Sequence, residues 1–171
     1  MTFTASIELL RTALMSYLSG GDATRNLPGI NELLARDPED DSGTLPALFV
    51  GMKSQSPPVY PSITYRVATG SPDNQMRNEG GGLARTAIRL RIELEIWSGS
   101  SGTDQLAQIA GRIEALLHNQ GFTLGNSGAG SSEALPRCYR SLFTVCQPDL
   151  FDKTANCWFG LYAYELFVQL P

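Results

Sequence analysis

The clearest pattern in the chain is a strict alternation of apolar and polar positions between residues 85 and 97. One parity carries the aliphatic side chains Ile88, Leu90, Ile92, Leu94 and Ile96, and the other carries the charged side chains Arg89, Arg91, Glu93 and Glu95. A period of two is typical of a strand with one buried and one solvated face. The pattern therefore predicts a strand over residues 85–97 whose aliphatic side is a main part of the core.

Two other segments have the three-and-four spacing of amphipathic helices. The first covers residues 4–18, and Gly20 and Gly21 follow it as a stop signal. The second begins after Gly102, where Thr103 or Ser101 is expected to cap it, and its apolar positions are Leu106, Ile109, Ala110, Ile113, Leu116 and Leu117. Gly121 marks its predicted end, since glycine commonly terminates helices.

Apolar runs predict four further strands, over residues 46–52, 59–68, 137–146 and 156–170. Pro61 lies inside the second of these runs and suggests that this strand begins at a sheet edge or a bulge. The last run is apolar on both parities. Such a strand is covered on both faces, here by a helix on one side and by another chain or layer on the other.

Glycine, proline and small polar residues concentrate in three segments that we predict to be long loops, 22–45, 70–82 and 124–136, with a short helical turn at 30–35. The predicted order is α, β, β, β, α, β, β, with short links between most neighbouring strands. It indicates an α+β fold: a two-layer sandwich with a mainly antiparallel sheet of about four to five strands and two helices packed on one face. A length of 171 residues suits one domain, residues 1–171.

Composition limits the classes of function. Thirteen Lys and Arg against seventeen Asp and Glu give a net charge of −4, which leaves no basic field for holding nucleic acid. The three cysteines, Cys138, Cys146 and Cys157, form no C-x-x-C pair, and we expect free thiols in a reducing cytosol. No signal-peptide pattern or long apolar window is seen, so we expect a soluble chain made in the cytoplasm.

The residues that could carry catalysis or bind a metal have simpler interpretations. His118 is the single histidine and is expected at a helix end, and residues 39–41 have the character of a solvated acidic turn rather than a calcium loop. Ser127 lacks the G-x-S-x-G context of a nucleophile. The glycine runs at 80–82 and 125–130 lack the features of a phosphate loop and are interpreted as linkers. We therefore expect no enzymatic activity, no cofactor and no metal.

The charged face of the alternating strand is the best candidate for a contact surface. Arg89 and Arg91 precede Glu93 and Glu95 on one parity, so opposite charges can pair along the strand and with its neighbours. We interpret the four residues as a salt-bridged outer face used in subunit or partner contacts, rather than as an acid–base pair.

The order of these elements resembles a known family. The relevant segments are the strand 59–67, a glycine-rich gap, the alternating strand 83–97, a helix that begins at once with residues 102–107, and the closing strand 162–168. Together they resemble the small tail-completion proteins of tailed bacteriophages, which include the tail terminators. The resemblance covers most of the chain from Pro46 to the last strand.

That resemblance implies a structural protein of the virion, assembled in the host cytoplasm. It implies a homo-oligomeric ring, commonly of six subunits, on the last ring of the tail tube, with the tube protein and a head–tail connector or neck protein as partners. The ring would stop tube polymerisation, offer the docking surface for the head or neck, and let DNA pass through its lumen without specific binding. Two alternatives remain open: a head–tail connector subunit, and a small cytoplasmic enzyme with an unrecognised site.

Overall fold

The computed structural model describes residues 3–51, 59–72, 87–99, 102–118, 121–124 and 136–169. In these ranges the chain forms two α-helices, α1 (Phe3–Gly20) and α2 (Asp104–Leu117). The strands, in chain order, are β1 (Gly21–Asp22), β2 (Leu27–Pro28), β3 (Leu48–Val50), β4 (Ser62–Pro72), β5 (Ala87–Ser98), β6 (Phe122–Thr123), β7 (Arg137–Asp152) and β8 (Cys157–Gln169). Two 3₁₀ turns, Ala23–Arg25 and Asn31–Leu33, complete the described elements.

The main sheet has six strands in the order β3-β4-β5-β8-β7-β6, and β1 and β2 form a separate two-stranded ladder. All neighbours in the main sheet are antiparallel except β3 and β4, which run parallel. The fold is therefore α+β, as predicted, but the sheet has more than the four to five strands expected. The extra strand is β6, whose two residues are too few to give an alternating pattern.

The alternation in β5 is confirmed, because its five predicted aliphatic side chains are all 0–1% exposed. In the antiparallel ladder with β8, Ile88 faces Val168 and Leu90 faces Leu166, and both partners are also buried. Each such side chain contributes roughly 1.5–3 kcal/mol through burial, before the entropic cost of ordering is subtracted. The aliphatic face of β5 is thus the centre of the core.

Both predicted helices pack against this core through their apolar stripes. The buried side chains are Leu10, Leu14, Tyr17 and Leu18 of α1 and Leu106, Ile109, Ile113, Leu116 and Leu117 of α2. Thr103 is the N-cap residue of α2, but its side chain makes no capping hydrogen bond, and Ser101, the other predicted cap, lies outside the described residues. The helix also ends at Leu117, earlier than Gly121 suggested, because the backbone turns extended at His118.

The predicted loop at residues 22–45 is instead a folded segment that crosses the helix layer. Ile30 is fully buried, and its amide donates to the carbonyl of Leu18 at the end of α1 (2.9 Å). Further on, Ala35 donates to Pro61 beside the start of β4 (2.8 Å). The helical turn predicted at 30–35 is confirmed as the 3₁₀ turn Asn31–Leu33. Isolated buried residues among Pro and Gly have no periodicity, so the pattern did not predict a packed segment.

Strand boundaries differ from prediction in two places. β7 continues past Cys146 to Asp152, with register shifts at Phe143/Val145 and Gln147/Leu150. These bulges carry the strand through Pro148, which cannot donate to a regular ladder. The start of β4 was predicted to lie at an edge or a bulge, but Pro61 precedes the strand and β4 is an interior strand.

Parts of the other two predicted loops lie outside the described residues. In the 70–82 segment, β4 continues to Pro72, and residues 73–82 are not described. In the 124–136 segment, Leu124 is fully buried and Pro136 is also buried, and residues 125–135 are not described.

A close backbone crossing joins the end of α1 to the 22–45 segment. A Cβ atom on Gly29 would lie 1.9 Å from the carbonyl oxygen of Ser19. That contact is with backbone, so no side-chain rotation can relieve it. Glycine at position 29 therefore lets the crossing segment lie directly on the last turn of α1.

We expect Gly29→Ala to lower the free energy of unfolding by about 2 kcal/mol or more, because the crossing must open to admit the methyl group. Gly111→Ala is the matched control: Gly111 lies on the exposed side of α2, and a Cβ atom added there would have no neighbour within 4 Å. That substitution should raise stability by about 0.5–1 kcal/mol through helix propensity. Urea denaturation of both variants measures the two effects. Equal stability of the Gly29 variant and the wild type would contradict the close packing of residue 29 against the last turn of α1.

Candidate subunit interface

The face of the sheet opposite the core carries a network of ion pairs that links three strands. Arg66 of β4 faces Glu93 of β5, and their side chains pair at 2.6 Å. Arg91 reaches the same carboxylate at 3.0 Å, and Arg89 pairs with Glu165 of β8 at 2.6 Å. The predicted salt-bridged outer face is therefore present, and it extends across neighbouring strands.

The arginines form the outer layer of this network. The side chains of Arg66, Arg89 and Arg91 are 43–51% exposed, whereas those of Glu93 and Glu165 are only 18% exposed. The face thus presents guanidinium groups above partly covered carboxylates. Exposed pairs of this kind contribute about 0–1 kcal/mol to folding, so their energetic value to the isolated subunit is small.

Glu95 does not join the network, although the alternation placed it there. Arg66 and Arg91 both pair with Glu93, and the cross-strand neighbour of Glu95 is Thr64. Burial raises the pKa of Glu95, and the nearby Trp97 indole and Arg66 only partly oppose that shift. No ion pair to Glu95 is found in the described part of the chain.

A small group of buried polar atoms surrounds Glu95. The atoms without a hydrogen-bond partner are Ser62 Oγ, Thr64 Oγ1, Glu95 Oε2 and Trp97 Nε1. Trp97 also stacks on Phe159 of β8, with ring centroids 4.8 Å apart. Burial of polar atoms without a hydrogen-bond partner carries a desolvation cost, which agrees with the raised pKa of Glu95.

Apolar side chains of β8 occupy the same face. Phe159, Leu161 and Phe167 are half-buried there, and the guanidinium groups of Arg89 and Arg140 each lie 5.6 Å from the Phe167 ring centroid. The helix-facing side of β8 is buried, as expected for the inner face of this strand. The other chain or layer predicted to cover the second face of β8 is not seen among the described residues, and on that face Ala163 is buried while Phe159, Leu161 and Phe167 are partly exposed.

The outermost strand at each lateral edge of the sheet is short and pairs with only part of its neighbour. β6 pairs only with Arg137 and Cys138, so the outer side of β7 beyond Arg140 pairs with no described strand. Phe143 and Phe151 of β7 are 42% and 43% exposed. At the opposite edge β3 has three residues, and Val50 is 55% exposed. Edges with free backbone groups are ready sites for another chain.

A cleft lies beside β6, which we call the Arg25–Arg137 cleft. Its volume is about 310 Å³, and its lining consists of Tyr17, residues 21–25, residues 121–123 and Arg137. Arg25 lies over the Phe122 ring, 5.9 Å from its centroid, and Tyr17 stacks on the same ring at 4.7 Å. The lining contains one carboxylate and two guanidinium groups, so the cleft is positively charged.

A buried network holds Arg25 in place. Its Nε donates to Asp22 Oδ2 (2.7 Å), and its Nη2 donates to the Leu116 carbonyl (2.6 Å) and to the Tyr17 hydroxyl. The other oxygen of Asp22 accepts from the amide of Thr24 (3.0 Å). The network joins the ends of both helices and satisfies a carbonyl in the last turn of α2 that has no partner within the helix.

Electrostatics keep this network ionised. Burial opposes the charge on Asp22, but hydrogen bonds from Thr24 and Arg25 outweigh it and lower the pKa of Asp22 from 3.8 to about 2. Burial raises the pKa of Tyr17 well above its ordinary value, so its hydroxyl stays protonated. Nothing in the sequence pattern pointed to this cluster, because Tyr17 and Leu116 are 99 positions apart and meet only in the fold.

The other candidate residues have simple structural roles. His118 is exposed at the end of α2, with Nδ1 3.9 Å from Glu114 Oε1, and the three cysteines are free thiols. Residues 39–41 lie in a surface turn. Ser127 and both glycine runs lie outside the described residues. Among the residues that are described, no three His, Cys, Asp or Glu side chains come together as metal ligands, and neither helix has the length and apolar character to cross a membrane.

Open sheet edges, an exposed charged face and half-buried aromatic side chains are features of a protein that docks with other subunits. A model of the family described as tail completion protein gp17 matches residues 28–138, which is more than half of the chain. No curated protein matches the sequence. The chain therefore belongs to the tail completion protein gp17 family and is a structural protein of a bacteriophage tail. The resemblance inferred from the sequence is confirmed.

We expect Asp22→Asn to lower the free energy of unfolding at pH 7 by about 2–4 kcal/mol, because the partly buried guanidinium group of Arg25 would lose its counter-ion. The folded pKa of Asp22 lies below its unfolded value, so its contribution of about 2 kcal/mol is complete above pH 5 and is lost as pH falls towards 2. The difference in the free energy of unfolding between variant and wild type should therefore become smaller as the pH falls. Urea denaturation at a series of pH values measures this difference. Asp41→Asn, at an exposed carboxylate, is the control. A difference in unfolding free energy that does not change with pH would show that ionised Asp22 does not stabilise the fold in this way.

Proposed function

We propose that this protein is a tail terminator: a homo-oligomeric ring that caps the tail tube, stops its polymerisation and provides the docking surface for the head or neck. Membership of the tail completion family supports a role at the end of the tail. The ring, its partners and its position are our inference from the surfaces described above.

The two open edges of the sheet are the observation that carries the ring. A closed ring needs a heterologous contact, in which one patch of a subunit meets a different patch of the next. The β7 edge and the β3 edge are such a pair of unlike patches on opposite sides of one sheet. Val50 at the β3 edge and Phe143 and Phe151 at the β7 edge are exposed, so each edge offers apolar surface to a neighbour.

The charged open face suits the contact with the tube or neck. Electrostatic complementarity across an interface sets orientation and rate of association more than affinity. Three outward guanidinium groups held by carboxylates beneath them give this face a fixed charge pattern. We assign this surface, with Arg89, Arg91, Glu93 and Glu95, to the partner proteins of the tail.

The net charge of −4 is consistent with a lumen through which DNA slides. Proteins that hold DNA tightly do so by neutralising many phosphates with Lys and Arg. A conduit must avoid that, because bound phosphates would slow passage. In this proposal DNA is cargo and forms no specific contact with the ring.

Loss of the gene in the phage tests the proposal. Without a terminator the tube should grow to abnormal lengths, which electron microscopy of the tails measures. Normal-length tails beside filled or leaking heads would instead identify a head–tail connector subunit. The purified protein, alone and with tube protein, should form rings in negative-stain images and a ring mass in light scattering. Monomers only, at high concentration and with tube protein present, would overturn the ring.

Reversal of charge at Arg89 and Arg91 tests the open face. We expect the double variant Arg89→Glu, Arg91→Glu to bind tube or neck partner less well while its melting temperature changes by only about 2–4 °C, since exposed pairs add little to folding. Lys153→Glu, an exposed reversal in the β7–β8 turn, is the control. A large fall in melting temperature would show that the face is buried within the subunit.

A further inference from the structure

Arg137, like Arg36, Arg140 and Lys153, is an exposed cation with no ion pair among the described residues, and it is distinguished by its place in a cleft. It lies at the start of β7 and lines the Arg25–Arg137 cleft. By contrast, Arg25 is held by Asp22, and Arg89 and Arg91 have carboxylates of their own subunit. The cleft therefore contains the guanidinium group of Arg137, which has no ion-pair partner among the described residues, beside that of Arg25, which is held by hydrogen bonds.

The turn at residues 37–44, which we call the acidic turn, has the opposite character. The carboxylate of Asp40 accepts from the amides of Leu45 (2.7 Å), Thr44 (2.7 Å) and Ser42 (3.1 Å). These hydrogen bonds, with that of Leu45 first, hold the pKa of Asp40 far below its usual range. The turn is thereby rigid and charged.

Two further carboxylates of the acidic turn have no ion-pair partner among the described residues. Glu39 and Asp41 are exposed on its surface. Because the loop around them is already ordered, little conformational entropy would be lost if they docked against a cation. Like Arg137, Glu39 and Asp41 are charged groups without an ion-pair partner among the described residues, and they lie on a turn that is held by its own hydrogen bonds.

The two surfaces lie on opposite sides of the sheet. The acidic turn is anchored beside β3, through Asp37 donating to Leu45 (3.0 Å) and Ile63 donating to Ala47 (3.0 Å). The cleft is built on β6 and the start of β7, the last strands in the sheet order. The acidic turn and the cleft therefore belong to opposite ends of the strand order.

We propose that the acidic turn of one copy docks at the Arg25–Arg137 cleft of the next copy, with Glu39 or Asp41 accepting hydrogen bonds from the Arg137 guanidinium group. This inference rests on the proposed ring and names the contact that closes it. The contact is heterologous, because an acidic patch on one edge meets a basic patch on the other, so repetition of it runs head to tail around a ring. Guanidinium–carboxylate pairs are the strongest and most directional of the charge-assisted hydrogen bonds.

Charge reversal tests the contact on the full chain. R137E puts like charges across the contact, and so does the double variant E39K/D41K; each should raise the apparent dissociation constant for ring formation at least about tenfold. Light scattering over a concentration series measures it. Neither change touches a buried group, so melting temperatures should stay near the wild type. K153E, which changes the net charge by the same amount as R137E, is the control for that variant.

Mixing the two variants gives the sharper result. In an alternating ring, the wild-type acidic turn of an R137E subunit meets the wild-type cleft of an E39K/D41K subunit, and the reversed turn meets the reversed cleft. Each contact again joins opposite charges. We expect the equimolar mixture, and the triple variant E39K/D41K/R137E alone, to recover assembly that neither charge-reversed protein shows by itself.

The outcomes separate the two proposals. If the wild type forms rings and both charge-reversed proteins form them equally well, or if the mixture fails to recover assembly, the contact is wrong while the ring stands. If the wild type forms no ring even with tube protein, the proposed function itself fails. Recovery in the mixture supports the contact, because self-matched contacts between identical patches cannot produce it.

Discussion

Burial of the aliphatic face of β5 organises both the core and the outer surface of this protein. Its five side chains are covered by both helices and flanked by buried residues of β4 and β8. A period of two then leaves the other side of the same strands facing outward. The charged open face is thus a direct consequence of the core, because the residues that cannot enter the apolar layer must lie on the opposite side.

The segment from β1 to the acidic turn has a second organising role. It begins at the buried network of Tyr17, Asp22 and Arg25, crosses the end of α1 at Gly29 and reaches β3 beyond Ala35. The same stretch of chain therefore shapes the positively charged cleft at one edge of the sheet and carries the acidic turn at the other. In the ring proposed here, one folded segment supplies half of the contact with each neighbour.

Family membership and surface chemistry agree on a role in assembly. In the proposed ring, each subunit would contact its own copies and the structures on either side. The open edges suit the first kind of contact and the guanidinium-covered face suits the second. Neither adds much to the stability of the isolated subunit, since exposed ion pairs are worth little in folding, so the energy of these groups is available for association.

The main elements could be predicted from the amino-acid order alone, because long segments with one buried face carry a regular period that is visible in the local order of residues. That order identified α1, α2, the β5 alternation and the ion-paired face around Glu93, and it supported the family. Four features became visible only in the folded chain: the pairing of β3 with β4, the six-stranded order, the exclusion of Glu95 from the network and the packing of residues 22–45. Folding also brought Tyr17 and Arg25 to Leu116. These features depend on contacts between residues distant in the chain, which leave no periodic trace in the order of amino acids.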